Sequence, residues 1–140
     1  MKEGTVMSYK SWADEFYPIP AGVIKEDASD EELIQHSLNK WKGLLPENLE
    51  KHDGTLKTSS LSDVSHASFL ECRINLTANT CSLCTKYYDR DCEGCPLERQ
   101  GDKCGQRNSP YIKATIYGNV PPMVTALEKA LSKIKESNDE

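Results

Sequence analysis

Five of the six cysteines in this 140-residue chain fall within the 24 residues from Cys81 to Cys104. They form two C-x2-C pairs separated by seven residues, and a fifth cysteine follows after eight more residues. A two-residue gap lets both sulfur atoms of a pair face one metal ion, and two pairs complete a tetrahedral shell of thiolates. The segment therefore predicts a metal-bound loop within a small domain.

The expected ligands are the four cysteines of the two pairs: Cys81, Cys84, Cys92 and Cys95. Zinc is the expected metal, because a closed site of four thiolates is typical of structural zinc. Cys104 has three interpretations, as an alternative ligand, as a small packed residue or as half of a disulfide. Cys72 is expected in the core, because it falls on the apolar side of an alternating stretch.

Two other chemistries use the same residue type. An iron–sulfur cluster also takes four thiolates, but the C-x2-C-x2-C spacing of bacterial ferredoxins does not occur in this sequence. Disulfides or a redox-active C-x2-C form the second alternative. Neither pair follows a predicted strand and opens a helix, as a thioredoxin-type motif does, so zinc is preferred.

The composition restricts the cellular compartment and the classes of partner that we expect. The formal net charge of −5 argues against broad electrostatic binding to duplex nucleic acid or to anionic membranes. The sequence contains no apolar run long enough to span a bilayer, and its first residues lack the apolar core of a signal peptide. We therefore expect a cytoplasmic protein, in which cysteines stay reduced and available to a metal.

The predicted fold class is α+β, with a small antiparallel sheet, flanking helices and a thiolate metal-bound, zinc-like loop. Residues 11–135 are expected to form a single domain that carries a metal-binding insertion at 81–104. Residues 1–10 and 136–140 are expected to be flexible ends.

Apolar spacing predicts helices over 11–17, 29–43, 46–52 and from 121 onward. Ser29 and Glu32 form a capping-box signature at the start of the second helix, and Gly43 is expected to end it in a left-handed conformation. Alternation predicts strands over 70–76 and 111–117, which are expected to pair around the cysteine loop. The polar stretch before them is expected to be a loop with a short strand near Leu56.

A local basic stretch is the candidate contact surface for RNA, single-stranded DNA or an acidic partner: Arg99, Lys103, Arg107 and Lys113, with Tyr111 nearby. Ordinary surface charge is the simpler interpretation, because the whole chain is acidic. The sequence has no phosphate-binding loop and no nucleophile motif, so we predict no catalytic residues. If the chain is an enzyme, Asp63 and His66 are the residues to test.

The motifs WKGLLPENLEKH, C-x-L-C-x2-Y-Y, C-x-G-C-P-L, G-x2-C and S-P-Y occur in this order. In this pattern the chain resembles small cysteine-cluster proteins of bacteriophages and prophages, over residues 9 to 131. These proteins carry no assigned function, so the resemblance implies no catalytic residues. It implies the cytosol of a bacterial host as the working compartment.

Three functions remain open at this stage. The first is a zinc-stabilised, non-enzymatic interaction module that acts on a host protein, for example as an inhibitor of host defence. The second is a nucleic-acid-associated accessory protein that uses the basic stretch. The third is an iron–sulfur redox or sensor protein.

Overall fold

The structure is a computed structural model of the chain. It describes residues 8–19, 28–70, 72–76, 83, 96–101 and 109–138. The helices are α1 (Ser8–Phe16), α2 (Asp30–Gly43), α3 (Pro46–Lys51), α4 (Pro96–Arg99), α5 (Pro110–Tyr117) and α6 (Pro121–Asn138). The strands are β1 (Thr55–Lys57), β2 (His66–Ser68) and β3 (Arg73–Asn75). The fold is α+β, as predicted.

The three strands form one antiparallel sheet in the order β1-β2-β3. Leu56 lies opposite Ala67, and Ala67 lies opposite Ile74, so these three residues share one row across the sheet. Ala67 and Ile74 are buried and Leu56 is half-buried, whereas the residues on either side in β1 and β3 are exposed. One face of the sheet therefore covers the core and the other faces solvent. The short strand expected near Leu56 is confirmed.

The helix predicted from Ser29 is confirmed together with its cap. The side chain of Ser29 accepts a hydrogen bond from the backbone N–H of Glu32 at 3.1 Å, and the Glu32 carboxylate accepts one from the Ser29 N–H at 3.0 Å. This capping box satisfies two N–H groups that have no partner inside the helix. Three acidic residues in the first turn, Asp30, Glu31 and Glu32, complement the positive end of the helix dipole.

The left-handed stop expected at Gly43 is wrong, and close packing explains the glycine instead. Among the described residues, positive φ angles occur at Asp53, Gly101 and Gly118 only. A Cβ atom on Gly43 would lie 2.6 Å from Phe16 Cγ and 2.7 Å from Trp12 Nε1. The indole N–H of Trp12 donates to the Gly43 carbonyl at 2.9 Å, so α1 approaches the end of α2 as closely as a missing side chain allows.

The strand predicted over 111–117 is wrong, because this segment is helix α5. The Ser109 hydroxyl accepts a hydrogen bond from the Ile112 N–H at 3.2 Å, Pro110 occupies the first helical turn, and Gly118 ends the helix at a φ of 72°. These are the start and stop signals of a helix, and they outweigh the apparent alternation of Ile112, Ala114 and Ile116. The strand predicted over 70–76 therefore pairs with β2.

The core position expected for Cys72 is also wrong. The N–H of Phe69 donates to the Cys72 carbonyl at 2.8 Å, which closes a tight connection between β2 and β3. Regular alternation begins only at Arg73, so Leu70 and Cys72 are exposed while Ile74 and Leu76 are buried. The alternation in the sequence covers the turn as well as the strand, but burial alternates only in the strand.

A single core joins the helices to the sheet, and α2 packs chiefly on α6. Trp12, Trp41 and Leu127 are fully buried at its centre. Helix α1 begins at Ser8 and α6 continues to Asn138.

Candidate functional site

The predicted metal ligands Cys81, Cys84, Cys92, Cys95 and the alternative Cys104 all lie outside the described residues. Within the described ranges, no group of three or more His, Cys, Asp or Glu side chains is placed to hold a metal ion. Leu83, inside the first C-x2-C pair, and Leu97, two residues after the second, are both 2% exposed and belong to the common core. The chain is thus anchored to that core next to each pair.

The basic stretch is described only in part. Lys113 is exposed on α5, and Arg99 is the last residue of α4, whereas Lys103 and Arg107 lie outside the described residues. Tyr111 is half-buried, its hydroxyl donates to the Leu76 carbonyl at 2.6 Å, and its ring meets Trp41 edge-on. This tyrosine joins α5 to the end of β3, so its hydroxyl and one ring edge serve the fold.

Asp63 lies in the β1–β2 loop, and its Oδ2 is 3.9 Å from Nδ1 of His66 at the start of β2. The Asp63 carboxylate accepts two hydrogen bonds from the Arg73 guanidinium, at 2.5 and 3.1 Å. The hydrogen bond from Arg73 lowers the pKa of Asp63, and Asp63 raises the pKa of Arg73. Because the carboxylate is held by this bidentate pair, it ties the β1–β2 loop to β3 and is poorly suited to accept a proton.

A Ser–His–Glu chain, which no sequence motif indicated, connects α1 to the end of α3. The Ser11 Oγ lies 2.5 Å from His52 Nδ1, and His52 Nε2 lies 2.8 Å from Glu15 Oε1. Lys51 Nζ also contacts Glu15 at 3.1 Å. The hydrogen bond to His52, followed by that to Lys51, lowers the pKa of Glu15. Ser11 and Glu15 are one helical turn apart, and that spacing was the only sequence signal for them.

An open groove lies beside α3 and β1, with a volume of about 1150 Å³. Its floor contains the buried side chains of Leu44, Leu49 and Val120. Half-buried Leu56 and exposed Leu70, which is 59% exposed, add apolar surface. The volume exceeds the roughly 300–1,000 Å³ of pockets that enclose small ligands, and the groove is open, so its shape suits a segment of a macromolecule.

The rim of this groove is acidic. Glu47 and Glu50 are three residues apart on α3, and Asp53 follows in the turn after it; all three are exposed and line the groove. Among the described residues that line it, none is Lys, Arg or His. The remaining polar side chains of the lining are Thr55 and Thr58. Three carboxylates around an apolar floor create a negative field that favours a cationic partner.

The turn at Asp53 and Gly54 gives the groove its shape. Asp53 adopts a left-handed φ of 59°, and the Gly54 N–H donates to the Leu49 carbonyl at 2.7 Å. A Cβ atom on Gly54 would lie 2.6 Å from Phe69 Cε1, so only glycine lets the chain pass this ring on its way into β1. The Asp-Gly turn was visible in the sequence, but the groove required α5 and α6 to be placed as well.

No family model, no curated protein and no solved structure matches this chain. Across the part of the chain that the structure describes, none of the helices combines the length and apolar character needed to cross a membrane.

Proposed function

We propose that this protein is a non-enzymatic interaction module that docks a protein partner in the groove beside α3 and β1. Zinc, held by Cys81, Cys84, Cys92 and Cys95, cross-links the loop next to the domain core. The resemblance to phage proteins supports a protein of the bacterial host as the partner, and inhibition of a host defence protein is one outcome of such docking.

The groove is the observation that carries this proposal. It exposes apolar surface at Leu70 and Leu56 beside a row of carboxylates, and exposed apolar surface with a polar rim is typical of protein–protein contact sites. The other polar groupings, around Asp63 and around His52, are engaged in contacts between elements of the fold.

The chemistry of the cysteine segment supports the zinc part of the proposal. Four thiolates in two C-x2-C pairs are the ligand set of structural zinc, and zinc holds such a loop in one conformation without an open position for a reaction. Leu83 and Leu97 are both buried in the common core, so the chain is anchored beside each pair.

The test starts with a photo-reactive residue in place of Thr58, which is exposed in the groove. The host protein that it captures is then produced in pure form, and its Kd is measured against Leu70→Gln and Leu61→Gln. Leu61 is a matched control, because it is fully exposed in the β1–β2 loop and does not line the groove.

We expect Leu70→Gln to weaken binding by about tenfold and Leu61→Gln to change it less than about twofold, because only the first leucine is buried by the partner. Equal affinity of both variants and the unmodified protein would contradict the proposal. So would saturable capture from a photo-reactive residue at exposed Thr125 on α6 with none from Thr58. Salt-sensitive binding of a single-stranded oligonucleotide in place of a protein would favour the nucleic-acid alternative.

A further inference from the structure

We infer that the groove selects a basic segment of its partner, one that places a single large apolar side chain between lysine or arginine residues. This inference rests on the proposed docking function and names the chemistry of the partner. It follows from two features of the groove, its apolar side chains and the row of carboxylates that lines it.

The apolar side chains of the groove are the reason to expect a large apolar side chain in the partner segment. Leu44, Leu49 and Val120 are between 0% and 4% exposed, so they support the groove from below, and Leu70 and half-buried Leu56 supply its accessible apolar side-chain surface. Leu70 stands beside them with more than half of its surface in solvent. A large apolar side chain that binds here buries part of its own surface and part of the Leu70 surface. Each Å² of apolar surface buried contributes about 25 cal/mol to the binding free energy.

The acidic rim is the reason to expect lysine or arginine next to that apolar side chain. Glu47 and Glu50 lie on the same face of α3, because residues three apart are neighbours on a helix surface. Asp53 continues this row of carboxylates past the end of the helix. These carboxylates line the same groove as the apolar side chains, so residues next to an apolar anchor lie close to negative charge. Lysine or arginine there speeds association, while aspartate or glutamate is repelled.

None of the three rim carboxylates forms a salt bridge within the described part of the chain. The described acidic residues elsewhere do so more often: Asp14 pairs with Lys10, Glu15 with Lys51, and Asp63 with Arg73. An incoming cation therefore meets these charges without breaking an ion pair among the described residues.

The probe is a synthetic nine-residue peptide with one phenylalanine between two lysines and two arginines, and serines elsewhere. A second peptide replaces the four cations with glutamates, and a third replaces the phenylalanine with serine. Binding to the full chain is measured by fluorescence anisotropy at low salt and again at high salt.

We expect the basic peptide to bind, the acidic peptide not to bind, and loss of the phenylalanine to weaken binding by about tenfold. In the double variant Glu47→Gln/Glu50→Gln, binding of the basic peptide falls by about three- to tenfold at low salt, and this difference shrinks when salt screens the charges. The control variant Glu31→Gln/Glu136→Gln removes the same charge from positions outside the groove, and we expect less than about a twofold change.

Equal effects of the two double variants would overturn the inference, since attraction would then reflect net charge and not the rim. Failure of the basic peptide to bind would also overturn it. If the captured host protein still responds to Leu70→Gln in that case, the docking function stands and only the partner's chemistry is wrong.

Discussion

The imidazole Nδ1 of His52 lies 2.5 Å from the hydroxyl of Ser11, 41 residues earlier in the chain. The opposite nitrogen of the same ring contacts the Glu15 carboxylate at 2.8 Å. When the ring donates from Nε2 to this carboxylate, Nδ1 has no proton and accepts a hydrogen bond from the Ser11 hydroxyl. His52, whose side chain is 9% exposed, therefore fastens α1 to the end of α3, next to the groove.

The first prediction concerns this link. His52→Ala is expected to lower the free energy of unfolding by about 1–3 kcal/mol, because it removes a buried ring that packs edge-on against Phe16, together with its two hydrogen bonds. In a double-mutant cycle with Ser11→Ala, we expect a coupling energy of about 0.5–1.5 kcal/mol. Chemical denaturation measures both quantities. Strictly additive effects would show that the two side chains are adjacent without interacting.

The second prediction concerns acid stability. The contacts of Glu15 with His52 and then Lys51 hold its pKa below the ordinary 4.5. A carboxyl whose pKa is depressed by folding contributes stability that is present above pH 4.5 and is lost as the pH falls through the folded-state value.

Glu15→Gln removes this contribution, so its unfolding free energy is expected to decline less steeply than that of the unmodified protein as the pH falls below about 4.5. Urea denaturation at a series of pH values gives the two curves. Parallel curves through this range would contradict the assignment. The other depressed carboxyl, Asp63, is present in both proteins and cancels in the comparison.

The third prediction compares two buried serines. Ser37 on α2 is 1% exposed, and within the described residues its hydroxyl has no hydrogen-bond partner. Ser65 is 2% exposed, and its hydroxyl donates to the Lys57 carbonyl at 3.1 Å. Ser37→Ala is expected to leave stability unchanged or raise it, and Ser65→Ala to lower it by about 1 kcal/mol. Thermal unfolding of the two variants checks the order, and the reverse order would contradict it.

The fourth prediction concerns the metal. Protein purified without oxygen is expected to contain about one zinc ion per chain and to show no visible absorption, since zinc has a filled d shell. Cys84→Ser is expected to lose the metal and to unfold, because the binding free energy of a structural zinc is also folding free energy. Exposed Cys72→Ser is the matched control and is expected to keep full zinc content.

Elemental analysis and a visible spectrum give the answer. Iron with broad visible absorption would show that the cysteines hold an iron–sulfur cluster instead of zinc, and it would indicate a function in electron transfer or sensing. Cysteines oxidised in pairs, with no metal, would mean that the segment is a disulfide-tied loop.

Local sequence signals predicted those elements whose start signal and periodicity agree. Helix α2 is the clearest case, since the Ser29–Glu32 capping box and the spacing of Ile34, Leu38 and Trp41 all indicate the same element. Helix α5 was missed, because an apparent period of two at Ile112, Ala114 and Ile116 was preferred over Ser109, Pro110 and Gly118. Eight residues are too few for periodicity alone to separate a helix from a strand.

The groove could not be predicted, because it depends on packing between distant parts of the chain. Leu44 follows the end of α2, Leu49 lies in α3, and Val120 comes from the connection between α5 and α6. Gly43 shows the same limit at one residue. Its position at the end of a helix suggested a left-handed stop, whereas its role is set by Trp12 and Phe16, about thirty residues away.

The most direct test of the docking proposal is hydrogen–deuterium exchange on the full chain, with and without the captured host protein. Docking in the groove predicts slower exchange over Pro46–Lys51 and Thr55–Lys57, the elements that form its wall. Exchange at the exposed face of α6, including Thr125 and Lys129, is expected to stay the same. Slower exchange on α6 with no change in α3 and β1 would contradict the proposal.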